Sequence, residues 1–183
     1  MTDADSSAPA GLPGGAGTGH WVLDPQKSSV GVSQKHMWGL ITVRVSFSDL
    51  AGEGDVSADG SVTGTLRVGA ASVDTKNSRR DKHLRSADFF HADAHPHITF
   101  TAKDARLDGK GALAVSGDLE AAGTSRPLSL TANVSEASQD SATLTATVNV
   151  DRLDYGMTWN RMGIMVNAPA TVSVTAHFTR QPA

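Results

Sequence analysis

The 183-residue chain predicts an all-β domain of antiparallel strands with one short helix. Apolar side chains recur at every second position through most of the chain, which places them on one face of a strand. Turn dipeptides rich in Gly and Asp separate these runs, and a single segment abandons the period of two.

In chain order the alternating runs are Val30, Val32; Ile41, Val43, Val45, Phe47; Val62, Gly64, Leu66, Val68; and Ile98, Phe100, Ala102. They continue with Leu113, Val115, Gly117, Leu119; Leu128, Leu130, Ala132, Val134; Leu144, Ala146, Val148, Val150; and Val172, Val174, Ala176, Phe178, giving at least eight strands. Asp59-Gly60 and Asp108-Gly109 are short hairpin signals, and Gly123-Thr124-Ser125 precedes the run that starts at Pro127. Such strands hide their apolar face by pairing two sheets or by closing into a barrel, and the alternation alone fits both. The exception is Ser78 to Ala87, about two turns of helix that Asn77 or Ser78 can cap, with Asp81 and Arg85 spaced as a favourable i,i+4 pair. Phe89-Phe90 supplies apolar bulk to anchor this excursion.

Residues 1–19 hold five glycines and two prolines and read as a flexible leader, residues 20–180 as one domain, and 181–183 as a tail. The leader lacks the basic patch and apolar core of a secretory signal, which predicts a cytoplasmic protein. No stretch approaches the roughly 20 apolar residues needed to span a bilayer. A net charge of −3 gives no field favouring nucleic acid, and neither a Gly-rich phosphate loop nor RNA-binding aromatic motifs occur. With no cysteine, disulfides, thiol nucleophiles and Cys-ligated metals are excluded. A homodimer is left open.

Gly64, Ala102, Gly117, Ala132, Ala146 and Ala176 stand where larger apolar residues would fill an interior. They mark either an open lumen or the corners where strands bend. Three of the five methionines, Met157, Met162 and Met165, cluster with Tyr155 and Trp159 in a segment suited to a flexible lid over a hydrocarbon, or to a plug. Lys76, Arg79, Arg80, Lys82, His83 and Arg85 make a basic cluster that suits a pyrophosphate-like headgroup, or simply a solvated helix face. His36 and Asp81 are further polar candidates for that headgroup. His91, His95 and His97, with Asp93, are the one metal-like constellation, at loose spacing that also fits loop decoration.

Several motifs carry a family resemblance: Trp21-Val-Leu-Asp24, Ser28-Ser-Val30, His36, Ser72-Val-Asp-Thr75, the block Arg80 to Phe90, and Pro96-His-Ile98-Thr-Phe100. Val115-Ser-Gly117-Asp-Leu119, Thr124, Leu128 and Asp151-Arg152-Leu-Asp154-Tyr155-Gly156 complete it, and over nearly all of residues 20–180 the chain resembles the YceI-like, or polyisoprenoid-binding, proteins. The resemblance implies an extended eight-stranded antiparallel lipocalin-like barrel whose tunnel holds a polyprenyl chain, isoprenoid quinone or similar amphiphile. It departs at Val45, where the family commonly carries glycine, and at Asn167-Ala-Pro169, where an acidic residue often precedes the last strand.

The expected function is therefore non-enzymatic binding, carriage or sequestration of a lipophilic small molecule, with no catalytic residue, metal or cofactor beyond a bound isoprenoid lipid or quinone. The expected tunnel wall comprises Val43, Val45, Phe47, Leu66, Leu84, Phe89, Phe90 and Phe100. Val115, Leu130, Val148, Met157, Trp159, Met162, Met165 and Val174 complete it, with His36, Arg79, Arg80, Asp81 and His83 at the headgroup. The alternatives are a metal-dependent hydrolase or isomerase built on His91, His95 and His97, and a filled barrel acting as a protein-interaction module.

Overall fold

A computed structural model of the chain describes residues 15–36, 39–107, 111–160 and 169–182. The strands are β1 (Gly19–Leu23), β2 (Ser29–His36), β3 (Ile41–Phe47), β4 (Leu50–Val56), β5 (Val62–Gly69) and β6 (Val73–Asp74). After helix α1 (Ser78–Arg85) come β7 (His97–Leu107), β8 (Ala112–Ala121), β9 (Thr124–Ser135), β10 (Ser141–Val150) and β11 (Ala170–Arg180). Every alternating run lies in one of these strands. Three strands were hidden from the pattern: β1 and β6 are short, and β4 places Gly52 and Gly54 where apolar residues would announce it.

β1, β4, β5, β7, β8, β9, β10 and β11 form an antiparallel ring of eight strands, closed where Trp21–Leu23 pairs with Phe178–Arg180. Closure decides between barrel and sandwich, and it leaves this ring without an edge. β11 also pairs with β2 at Ser29–Ser33, and β2 carries β3 and β6 beyond it, so the wall extends past the closed ring into a second tier. There the wall divides. β9 stays paired with β8 as far as Thr124, and β10 with β11 as far as Val150, but β9 and β10 meet only at Ala132–Ser135 against Thr143–Ala146. A 3-10 turn at Arg152–Tyr155 is tied to β9 by the Arg126 Nε–H, which donates to the Asp154 carbonyl at 3.1 Å. On the other side, α1 is tied to the chain before it by Arg85, which donates to the carbonyls of Ala71 and Val73.

The helix is capped as expected, the Asn77 side chain accepting from the Arg80 N–H at 3.0 Å, and it ends at Arg85 rather than Ala87. The expected Asp81–Arg85 pair is not made. Asp81 is buried and accepts from the Thr75 N–H at 2.9 Å and the Thr75 hydroxyl at 2.6 Å. Arg85 is committed to backbone carbonyls, and a surface i,i+4 pair is worth too little to compete with either arrangement.

A bulge between Ala102 and Asp104 shifts the register of β7, so that the inward series Ile98, Phe100, Ala102 resumes at Ala105. Gly117 stands opposite Ala102, and a Cβ there would fall onto the Thr101 carbonyl oxygen and come within 3.0 Å of the Ala102 Cα. Ala122 and Gly123, both at positive φ (48° and 77°), make the tight turn between β8 and β9 that suits a twisted hairpin. The Asp108-Gly109 turn lies outside the described residues. At the start, Gly17 and Gly19 are bound into the fold: the Gly17 N–H donates to the Gln139 carbonyl, the Trp21 indole donates to the Gly17 carbonyl, and Gly19 begins β1. At the end, the Gln181 N–H donates to the His20 carbonyl. No helix among the described residues is long and apolar enough to cross a membrane.

The Gly117 contact yields a direct expectation. Gly117→Ala forces the two backbones apart at the bulge and costs about 1–3 kcal/mol, the usual penalty of overpacking. A urea unfolding curve superimposable on that of the native chain would contradict it.

Candidate functional site

The inward faces of the strands enclose a cavity of about 650 Å³, lined almost wholly by apolar atoms. That volume falls in the range of roughly 300–1,000 Å³ typical of small-molecule sites. Val43, Val45 and Phe47 of β3, Leu66 of β5 and Phe100 of β7 line one part of it. Val115 of β8, Leu130 of β9, Val148 of β10 and Val174 of β11 line the rest of the strand wall. Leu84, Phe89 and Phe90 reach it from α1 and the segment that follows, and Met157 and Trp159 from the segment after the 3-10 turn. Met162 and Met165 lie outside the described residues. Val45, at the position where the resemblance departs, is part of the wall.

Several of these inward residues, among them Val43, Leu66, Leu130, Val148 and Val174, are only half-buried. In a filled core they would be covered by opposing side chains; here they face open space. The small residues divide between the two roles open to them. Ala102, Ala132, Ala146 and Ala176 line the cavity, whereas Gly117 is required by the strand contact at the bulge. Gly64 does both: it lines the cavity, and a Cβ there would come within 2.8 Å of the Glu53 carbonyl.

At the divided end of the wall, the two inserts meet over the lumen. The His83 ring packs edge-on against Trp159 at 4.4 Å and against Phe89 at 5.1 Å, and Phe89 lies 5.7 Å from Trp159. His83 is oriented by Asp88, its Nε2 lying 2.9 Å from Oδ2. Ile41 lines the cavity at this end and is still 48% exposed, so the lumen opens to solvent beside the clasp.

The same mouth brings together His36, Arg80 and Arg152 of the lining. His36 continues the inward phase of Val30 and Val32 in β2 through Gln34, and Arg152 continues that of Val148 and Val150 just past β10. Arg80 joins them from α1, its Nε–H donating to the Thr75 hydroxyl at 2.8 Å and Nη2 to the Thr75 carbonyl at 3.1 Å. Arg152 Nη1 donates to the carbonyls of Met157 and Trp159, which fixes both the guanidinium and the loop that carries Trp159. Asp151 shapes this turn by accepting from the Leu153 N–H at 2.9 Å, and Gly156 closes it at φ 75°. Of the expected headgroup residues, His36, Arg80 and His83 line the cavity; Arg79 is exposed and outside the lining, and Asp81 is spent on Thr75. Arg152, Gln34 and Tyr155 were missed. Extending the strand phase by one or two positions finds Gln34 and Arg152; Tyr155, in the 3-10 turn, carries no such signal.

Burial lowers the pKa of His36, and the positive charges of Arg152 and then Arg80 lower it further. Desolvation also lowers that of Arg152, and burial followed by the charge of Asp154 raises that of Tyr155. The mouth is thus a region where added positive charge is disfavoured.

The histidine constellation does not converge. His91 and His95 meet edge-on with ring centroids 5.5 Å apart, His95 packs over the turn where a Cβ on Gly123 would come within 2.6 Å of its ring, and His97 is exposed. Among the described residues no group of three or more His, Cys, Asp or Glu is placed to hold a metal ion. The reading of these histidines as a hydrolase or isomerase centre is therefore corrected: at least two of the rings serve the packing of the loop before β7.

Comparison with known proteins agrees with this geometry. The model of the YceI-like domain family matches residues 21–179. A UPF0312 protein of Shewanella baltica is 29% identical over 154 residues, covering 79% of this chain and 80% of that protein. Burkholderia cenocepacia BcnA superimposes with a TM-score of 0.73 at 16% identity, covering 87% of this chain and 99% of its own. A polyisoprenoid-binding domain from Saccharophagus degradans superimposes with a TM-score of 0.69 at 16% identity, covering 88% and 98%. At these identities the two structures share the fold.

The lowered pKa of His36 sets the sign of a pH effect. Below the ordinary imidazole value of about 6.5 the unfolded chain takes up a proton that the folded chain resists. Stability from neutral His36 is fully present above that value and is lost as the pH falls below it. Urea midpoints measured from neutral to mildly acidic pH should fall less steeply in His36→Gln than in the native chain; parallel curves would contradict the assignment.

Proposed function

Because the chain belongs to the YceI-like family, we propose that it binds a long lipophilic molecule, such as a polyisoprenoid or isoprenoid quinone, inside its barrel, and that it carries or sequesters this ligand without catalysis. The observation that carries the proposal is the apolar cavity of about 650 Å³, walled by half-buried aliphatic side chains. The shared fold with a domain known as polyisoprenoid-binding supports the same ligand class.

The energetics are sufficient. Each methylene taken from water contributes about 0.8 kcal/mol, so roughly ten methylenes give about 8 kcal/mol gross. That exceeds the lower range of the cost of association, about 4 kcal/mol, without any polar contact. Water held against aliphatic walls is a poor competitor for the same space. An extended tail suits the elongated wall, since β11 spans 11 residues, or roughly 36 Å of strand.

Native mass spectrometry of the gently purified chain, followed by organic extraction, tests this directly. A co-purifying apolar molecule of defined mass is expected; an empty lumen that also fails to take up an added long-chain isoprenoid would overturn the proposal. A second expectation concerns the wall. Val148→Phe places a ring in open lumen and should weaken binding of an apolar fluorescent probe by about tenfold while leaving the unfolding midpoint close to native. Unchanged probe affinity would show that the probe binds elsewhere.

A further inference from the structure

We propose that the outer rim of the tunnel mouth docks on an anionic lipid bilayer, so that an apolar tail passes between membrane and tunnel without crossing water. The rim is formed by the β2–β3 turn, the solvent face of α1 and the 3-10 turn after β10. The inference rests on the tunnel holding such a tail and goes beyond it by assigning a partner to the outside of the protein.

Among the described residues the large apolar side chains left exposed are Leu40, at 81%, Ile41, at 48%, and Leu153, at 38%. Strand register places all three at one end of the barrel. Ser33 pairs with Thr171 and Val150 with Ala170, so three further residues along β2 and two past the end of β10 bring His36 and Arg152 to one level. Ile41 pairs with His36 and shares that level, while Leu40 precedes Ile41 and Leu153 follows Arg152 at the rim. Ile41 also lines the cavity, so the exposed apolar rim is continuous with the apolar wall inside. Exposed apolar side chains scattered singly need no partner, but a set confined to the opening of an apolar cavity marks an interaction site.

Charge selects the occupant. Arg79 and Lys82 lie on the side of α1 away from the lumen, which Arg80, His83 and Leu84 line instead, and Lys35 of β2 is likewise outside the lining. All three cations are exposed, and none belongs to an ion pair among the described residues. Of the acids at this end, Asp74 pairs with Lys76, Asp88 meets His83 and Asp81 is buried on Thr75. Asp93, Glu120 and Asp154 are exposed there, but so are Arg80, Arg85 and Arg126. The opposite end, at the β4–β5 and β9–β10 turns, exposes Glu53, Asp55, Asp59 and Glu136. The net charge of −3 is thus carried away from the mouth, a polarity that turns the mouth toward a negative surface.

Flotation of the full chain with phosphatidylcholine vesicles, and with vesicles that also contain phosphatidylglycerol, tests the docking. Binding to the anionic vesicles should be at least about fivefold tighter and should weaken as salt is added. Each cation near such a surface contributes about fivefold, so the double variant Arg79→Gln, Lys82→Gln should bind about 25-fold more weakly. Leu40→Ser should weaken binding about tenfold with a native unfolding midpoint, whereas Arg106→Gln, near the β7–β8 turn, should change nothing. Equal binding to both vesicle types, binding to neither, or a loss in Arg106→Gln matching that of the rim variants would overturn the proposal. Self-association abolished by Leu40→Ser, without vesicle binding, would assign the rim to a second copy and overturn it as well. Uptake of an apolar fluorescent probe from solution separates the two readings. A chain that takes up the probe but ignores vesicles loses the docking and keeps the tunnel; vesicle binding without probe uptake would support the docking and defeat the tunnel.

Discussion

The fold depends on one strand holding two tiers of wall at once. β11 pairs with β1 near its C-terminal end and with β2 nearer its start, and the chain between β1 and β2 is stitched to it at the junction. There the Asp24 N–H donates to the His177 carbonyl at 2.8 Å, the His177 N–H donates to the Ser28 hydroxyl at 3.0 Å, and that hydroxyl donates to the Asp24 carbonyl at 2.6 Å. These bonds let the chain step from the closed ring to the open tier without leaving buried polar groups unpaired, which would otherwise cost about 1–3 kcal/mol each. The closed tier supplies rigidity. The open tier leaves two gaps that no strand among the described residues spans, and α1 and the turn after β10 bring the chemistry of the mouth to those gaps.

Rigidity at one end and insertion at the other explain how the polar groups are distributed. A closed ring satisfies its backbone internally, so its lumen needs no polar side chain to pair with strand edges, and here the inward side chains are mostly apolar. Where β9 and β10 part, and where β3 carries only the short β6, side chains and short turns take over from the ladder. Arg126 and Arg80 each donate to a backbone carbonyl there, and Arg85 and Arg152 each donate to two. Arginine suits this task because it remains charged when partly buried and offers several donors from one planar group. The His83–Trp159–Phe89 contact then joins the two inserts across the lumen with rings alone, a contact that can open without breaking a hydrogen-bond ladder.

Strand existence and phase were legible in the sequence because period two survives wherever one face is apolar. The inward series from Val43 to Val174 needed only that period. β4 was illegible because Gly52 and Gly54 carry no side chain to report a face. The bulge at Lys103 was illegible because Ala102 and Ala105 are too small to betray a change of phase. The basic cluster on α1 was legible as composition, but its members separate in space: Arg80 turns to the lumen, Arg85 to the chain before the helix, and Arg79 to solvent. Arg152 lay within a recognised motif, yet its place in the tunnel emerges only when the phase of β10 is carried past Val150. The histidines looked like ligands because spacing alone cannot show that His95 packs over a glycine turn.

The central claim, that a chain-like ligand lies along the barrel axis with its head at the α1 end, is tested most directly by methyl NMR with stearate carrying a nitroxide at its tail end. Broadening should concentrate on Val56, Val62 and Leu113, which line the end of the cavity near the β4–β5 and β7–β8 turns, and spare Val43 and Leu84 at the mouth. Broadening confined to the mouth, or spread over exposed residues such as Leu153 with none inside, would contradict it.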